Sequence, residues 1–392
     1  MREFIKRFNP FDKGLDPIKG RNPDFLINGY NTRITSNGPE AINFDMLTYI
    51  TSAALYDLNI DVNEVFPQVF SIFDKYYLLT ETKLYEVEDS SITQIYMYDA
   101  YMSDKHFLSP SLSNSITAIA NGKWSVAYIG DTIMFVNGKS TIFKRSTDVY
   151  WHIENTISIK SCEEYKGHII TAGFDDTYYN QSWKDYFSQA YANITYVNPT
   201  MDKNTIVWSV VNAGDLFWLF YPDEAFEGPL GFDADYDFYK SWIFRGDAGF
   251  INLPELNGVL QVKKSGDLLF AYGAKRSAVL SFVTDPVPTL TVVAYLDYGL
   301  QNKNAIAGNN TNHFIIDNKN NLRKIESGKV NKIGFSKYLS TEDYSLAYHE
   351  KYDEVYINGV SKKYTFNSGL MELLYVIPSA FSYEGVEYLI YK

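Results

Sequence analysis

From about residue 68 onward, short apolar or aromatic runs alternate with polar clusters rich in Asn, Gly, Asp and Lys. In Asp267-Leu-Leu-Phe-Ala-Tyr-Gly-Ala-Lys-Arg-Ser-Ala-Val-Leu-Ser-Phe282 two such runs flank a polar turn. The same design returns in His313-Phe-Ile-Ile-Asp-Asn-Lys-Asn-Asn-Leu-Arg-Lys-Ile325 and in Glu354-Val-Tyr-Ile-Asn-Gly-Val-Ser-Lys-Lys-Tyr-Thr-Phe366. Earlier copies are Tyr76–Val87 with a turn near Glu81-Thr82, Thr132–Phe143 with a turn at Asn137-Gly138, and His168–Tyr179 with a turn at Gly173. Apolar runs of this length bounded by turn residues predict β-hairpins. A lone hairpin cannot bury its apolar face, so a series of them predicts sheets stacked on one another.

The spacing of the hairpins indicates which stack. One residue just before a comparable strand in each unit gives Asp74, Asp131, Gly167, Asp215, Asp267, Asn312 and Tyr352, separated by steps of 36 to 57 residues. A four-stranded propeller blade takes roughly 40–50 residues. The chain therefore predicts an all-β fold, a β-propeller of about six or seven divergent blades with an irregular N-terminal arm. Closure of the blade ring predicts that the C-terminal strand Glu387–Lys392 pairs with an early strand, near 42–56 or 68–73.

Several segments depart from the hairpin pattern. Residues 1–40 are punctuated by Pro10, Pro17, Pro23 and Pro39 and by Gly14, Gly20, Gly29 and Gly38, too often for regular structure. Up to Arg21 this arm holds six Lys or Arg against three acids, so it is locally basic. It reads as a docking arm, with Arg2, Phe4, Lys6, Arg7, Phe8 and Phe11 as the candidate interface residues, and residues 41–392 as the propeller. Residues 42–56 suit a strand or a short helix equally. Trp183, Tyr186, Phe187, Ala190 and Tyr191 have helical spacing. Residues 222–250, acidic and aromatic, read as a long loop insertion between blades.

Composition narrows the function. Aromatic residues make up 17% of the 392 positions, which suits half-buried pleated surfaces and protein interfaces. A net charge of −12 disfavours sequence-specific nucleic-acid binding. It remains compatible with DNA sliding past a repelling surface. A single cysteine, Cys162, leaves no intrachain disulfide and no cysteine metal cluster, and reads as a small residue beside a strand. No leader with an apolar core and no membrane-length apolar run is visible, which predicts a soluble protein made in a cytoplasm.

The catalytic readings fail one by one. Asp-box, kelch Gly-Gly and paired Gly-His/Trp-Asp signatures are missing, and Gly167-His168 stands without a Trp-Asp. Asp233, Asp235 and Asp237 have the spacing that opens a calcium loop, but Phe238 and Phe244 occupy the positions that need Gly and Glu. His106, His152, His168, His313 and His349 are scattered without a ligand motif. Phosphate-loop, dinucleotide and nucleophile-elbow motifs are also missing. The expectation is a non-enzyme with no cofactor and no metal.

The order of segments is similar to that of tailed-bacteriophage tail propellers, the nozzle or DNA-stabilisation proteins below the portal and adaptor rings. Leu26-Ile-Asn-Gly-Tyr-Asn-Thr-Arg-Ile-Thr-Ser-Asn-Gly-Pro-Glu40 resembles their opening segment. Tyr239-Lys-Ser-Trp-Ile-Phe-Arg-Gly246, Leu268-Leu-Phe-Ala-Tyr-Gly-Ala274, Asp297-Tyr-Gly-Leu300, Ala305–Asp317, Ile333-Gly-Phe335 and Tyr352-Asp-Glu-Val-Tyr-Ile357 resemble their middle and later blades. The resemblance covers less than half the chain, mostly residues 240–366. It implies a structural virion protein made in the host cytoplasm, a hexameric homo-oligomeric ring around the DNA exit channel. Its neighbours would be portal, adaptor or other tail proteins, with genome DNA passing through and no membrane contact. The competing expectation is a carbohydrate-binding or glycan-cleaving propeller that acts as a receptor-binding tail component. Cleavage would need two or three carboxylates within about 5–10 Å of one another.

Overall fold

A computed structural model describes residues 32–35, 38–41, 68–73, 75–88, 91–100, 102–103, 106–107, 111–113, 123–130, 132–144, 150–154, 159–174, 202–210, 249–284, 289–383 and 386–390. The fold is a β-propeller. Among the described residues six blades follow one another along the chain, each built on an antiparallel meander of four strands in sequence order, with two further strands added to the second. Blade 1 is Gln68–Ile72, Lys75–Leu79, Leu84–Glu88 and Ser91–Gln94. Blade 2 is Ser125–Ile129, Thr132–Val136, Ser140–Lys144 and Tyr150–Glu154. Blade 3 is Ile159–Tyr165, His168–Phe174, Thr205–Val210 and Gly249–Asn252. Blade 4 is Val259–Ser265, Leu268–Gly273, Ser277–Val283 and Thr289–Leu296. Blade 5 is Ile306–Gly308, Asn312–Ile316, Leu322–Glu326 and Lys329–Gly334. Blade 6 is Ser345–His349, Glu354–Asn358, Lys363–Phe366 and Leu370–Glu372.

The chain divides into two compact units. One comprises residues 64–303 with the turn 326–329, and so holds blades 1–4. Within it the first strand of blade 3 lies beside the first strands of blades 2 and 4. Apolar side chains fill the space between neighbouring sheets, with Tyr77, Leu79, Ile133 and Phe135 between blades 1 and 2. Ile170, Trp208, Leu269 and Leu280 do the same between blades 3 and 4. The second strands of blades 2 and 3 are buried along their whole length. That is why they read as unbroken apolar runs rather than alternating ones.

The other unit holds residues 1–63, 304–325 and 330–392. Here the first strands of blades 5 and 6 are neighbours, and Phe314, Leu346, Val355 and Phe366 share one core. A final hairpin, Ser379–Tyr383 with Val386–Ile390, sets its first strand beside the first strand of blade 6.

The polar clusters make the turns by a common device, a short side chain that accepts hydrogen bonds from amides just ahead of it. Asn137 Oδ1 accepts from Lys139 N at 2.8 Å and Ser140 N at 2.7 Å. Asp317 Oδ1 accepts from Lys319 N at 2.9 Å and Asn321 N at 2.8 Å. Thr80 Oγ1 accepts from Lys83 N at 2.9 Å.

Several expectations need correction. Gly173 is not a turn; it lies within the second strand of blade 3, and the turn before that strand is Lys166-Gly167, both at positive φ. Val386–Ile390 pairs with Ser379–Tyr383 and Gln68–Ile72 with Lys75–Leu79, with no pairing between the C-terminal strand and 68–73 among the described residues, while the other expected partner, 42–56, lies outside them. A hairpin partner needs a far shorter loop closed than a strand some 300 residues away. The arm, read as irregular to residue 40, ends in a hairpin of Thr32–Thr35 and Gly38–Ala41. Its β-branched residues favour a strand, and Pro39, opposite Ile34, is tolerated in a two-stranded edge. Gly249 and Phe250, assigned to the 222–250 loop, open the fourth strand of blade 3. The remainder of that loop, residues 42–56 and 183–191, and Asp215 lie outside the described residues.

Candidate functional site

Charged residues gather on the first strands of blades 3 and 4, where two ion pairs join those strands. Their frame is neutral and buried. Gln261, in the first strand of blade 4, accepts from Ser161 Oγ of blade 3 at 2.7 Å and from Ser125 Oγ of blade 2 at 3.2 Å. Its amide donates to the carbonyl of Lys303 at 3.0 Å. Ser161 Oγ in turn accepts from Val262 N at 3.0 Å. One glutamine thus ties three blades and the chain leaving the fourth.

Lysines surround this frame. Lys123 lies two residues before Ser125, and its neighbour Trp124 is anchored to blade 1 through Trp124 N to Gln68 Oε1 at 2.6 Å and Trp124 Nε1 to Thr80 O at 2.9 Å. Lys160 precedes Ser161. Lys303 carries the carbonyl that Gln261 binds, and its ammonium donates to the carbonyl of Asn137. Lys263 pairs with the buried Glu163 at 2.8 Å, and Lys264 pairs with Glu164 at 2.7 Å. All five lysines are half-buried, neither sealed in the core nor fully in solvent.

The electrostatics follow from that crowding. Burial, and then the Lys263 ammonium, bring Lys123 down to about 7. Burial, and then Lys160, bring Lys303 down to about 8. Burial raises the Glu163 carboxyl above its usual range, against the opposing pull of Lys263. Burial, and then the Glu163 carboxylate, hold the Cys162 thiol well above its ordinary value, and its Sγ lies 3.7 Å from Met134 O. Such a thiol is structural rather than reactive.

The lowered lysines have a consequence for stability. The folded chain holds fewer protons at Lys123 than the unfolded chain does, whose lysine titrates near the ordinary 10.5. Stability from this group is therefore absent below about pH 7 and rises as the pH climbs from there toward 10.5. The charged side chain that acts on it is Lys263, itself paired with Glu163. The expected result is that Lys123→Met is relatively most stabilising near pH 6 and loses that advantage by about pH 10. Urea denaturation of both proteins across that range measures it, and parallel curves would refute it.

Arg2, Phe4, Lys6, Arg7, Phe8 and Phe11 lie outside the described residues, as do Asp233, Asp235 and Asp237. His168 lies 2.9 Å from Lys166 O and tilts against Phe282, while His349 stacks on Tyr352. His313 is buried in the second strand of blade 5. Among the described residues no group of three His, Cys, Asp or Glu is placed to hold a metal ion. No helix there is long and apolar enough to cross a membrane.

The hub lysines were missed although the blade marks contain them. Four residues before the mark Gly167 stands Glu163, and four before Asp267 stands Lys263; each is followed by a residue of its own charge. Superposing the marks would have placed opposite charges in register on the first strands of adjacent blades.

No family model matches the sequence, and no curated protein matches it either. Solved propellers are similar in fold. The WD40 domain of Neurospora crassa Pan2 has 7% identity and a TM-score of 0.42, over 82% of this chain and 84% of that one. YCF48 bound to D1 peptide has 8% identity and a TM-score of 0.42, over 84% and 90%. Kluyveromyces lactis Hsv2 has 12% identity and a TM-score of 0.35, over 84% and 98%. Likenesses this distant carry no argument about function.

Proposed function

We propose that this chain is a structural subunit of a tailed-bacteriophage tail, a propeller in a homo-oligomeric nozzle or hub ring around the DNA exit channel, without catalytic activity. The likeness of its segments to the nozzle propellers motivates the reading. The observation that supports it best is the outermost strand of blade 4, Thr289-Leu-Thr-Val-Val-Ala-Tyr-Leu296. It is eight residues long, carries no charge and no proline, and ends its sheet with no partner on its outer edge among the described residues. Val293 is 58% exposed and Tyr295 37%, with Ala294 exposed between them, and Val283 of the adjoining strand is exposed as well.

Long, uncharged edge strands are templates for pairing, and monomeric proteins blunt them with lysine, proline or a bulge. This strand has one register shift, opposite Val279/Leu280, and none of the other devices. An apolar flank of this kind suits a permanent contact with a neighbouring copy, where ring interfaces resemble sectioned cores. Ring formation also fits the surplus of aromatic residues.

The test is a charged edge. Val293→Lys with Tyr295→Lys places two like charges on the flank while leaving the inward Leu290 untouched. The expected outcome is a shift of the assembly to monomer with circular dichroism and melting temperature unchanged. An assembly of unaltered mass would remove this edge from the interface.

A further inference from the structure

We propose that an N-terminal segment of this chain, residues 23–31, docks through Phe25, Leu26 and Ile27 onto an exposed apolar patch at one end of blade 6, formed by Val360, Leu374 and Tyr375. The inference goes beyond the tail-ring reading and does not depend on it.

Hydrogen bonds gather the patch. Leu373 N donates to the carbonyl of Lys363 at 2.8 Å, and Ile377 N donates to Asn358 Oδ1 at 2.8 Å. Asn358 Nδ2 returns a bond to the carbonyl of Ile377 at 2.8 Å. Leu374 and Tyr375 therefore run between two anchors that bracket the turn carrying Val360. That turn is itself held. The Glu342 carboxylate accepts from Ser361 N at 2.9 Å and from Lys362 N at 2.6 Å, and Gly359 N donates to the Lys362 carbonyl at 2.9 Å. On this platform Val360 is 88% exposed, Leu374 58% and Tyr375 38%. Single exposed apolar residues are ordinary on a protein surface. Three on one braced platform mark a contact surface.

Chain connectivity selects the occupant. The first described strand, Thr32–Thr35, lies beside the third and fourth strands of the same chain's blade 6, Lys363–Phe366 and Leu370–Glu372. The third strand leads out of the turn at Val360, and the fourth leads into Leu374. The residues ahead of Thr32 therefore set out from the blade that carries the patch. Phe25-Leu26-Ile27 is the only run of three consecutive apolar residues among the first 31, and Asp24 is the only charged residue in 23–31. From Ile27 to Thr32 the backbone extends at most about 18 Å, so the run stays in the neighbourhood of blade 6. A tether that short holds the local concentration of the segment on the order of millimolar, and burial of its aromatic and branched side chains supplies the affinity. Once seated, the segment fixes the point from which the basic stretch 1–21 leaves the chain.

The test is site-directed cross-linking in the full chain. The one native cysteine, Cys162, is buried, so Leu374→Cys gives a single accessible thiol for a photoactivatable maleimide. After irradiation and trypsin digestion, the cross-link is expected within one chain, on the peptide Asn22–Arg33 and at Phe25, Leu26 or Ile27. Adding Phe25→Asp with Leu26→Asp should lower its yield about tenfold or more, because a carboxylate resists burial against an apolar patch. The melting temperature should not change, since the described blades and hairpin are left intact. A cross-link between chains, a cross-link on any other peptide, or no cross-linked product overturns the proposal. Equal yield with and without the two aspartates overturns it as well.

Discussion

Replacing Gly173 with alanine is expected to destabilise the chain by about 3 kcal/mol or more. Two penalties coincide there. The backbone sits at φ +73°, a left-handed conformation that costs an L-residue about 1–2 kcal/mol. The added carbon would also stand 2.4 Å from the carbonyl oxygen of Val259, and backbone cannot step aside as a flexible side chain can. Gly130 provides the control. It has φ +50° and nothing within 4 Å of a built Cβ, so Gly130→Ala should lose only about 1 kcal/mol. Urea denaturation followed by tryptophan fluorescence compares the two directly. Equal losses would show that the close approach between blades 3 and 4 is unimportant.

Gln261→Leu should be the second severe change, at about 2–4 kcal/mol. Leucine has similar volume, so the loss comes from chemistry rather than a cavity. Ser125 and Ser161 lose a shared acceptor, and the Lys303 carbonyl loses its donor. A buried polar group stripped of its partner carries the full desolvation penalty. Ser161→Ala should lose less, about 1 kcal/mol, because Gln261 keeps its other bonds. If the leucine variant melts like the wild type, the glutamine does not tie the blades.

The blades were legible because each is a local meander whose turns announce themselves. Asp74, Asp131, Gly167, Asp267, Asn312 and Tyr352 all fall at or just before the second strand of their blade. Asp215, the seventh mark, lies in the sequence between the third and fourth strands of blade 3, and the described strands on either side of it belong to that one blade. The long step from Asp74 to Asp131 has a different cause. Met97–Ala100 pairs in parallel with Tyr150–Glu154, and Ser111–Ser113 pairs with Met97–Ala100, which widens blade 2 to six strands. A parallel partner about 50 residues away leaves no local signature, since only hairpins are written in consecutive residues. Gly173 misled for a related reason: glycine marks a turn or a close approach with the same letter. The hub lysines were hidden because charges on an inner strand look like the polar face of an outer one.

The native mass of the full chain in solution, measured at low and high protein concentration, tests the central claim most directly. The account predicts a ring of about six 44.9 kDa subunits, with the Val293→Lys/Tyr295→Lys protein running as the monomer. A wild-type chain that stays at the 44.9 kDa of one subunit at every concentration would contradict it.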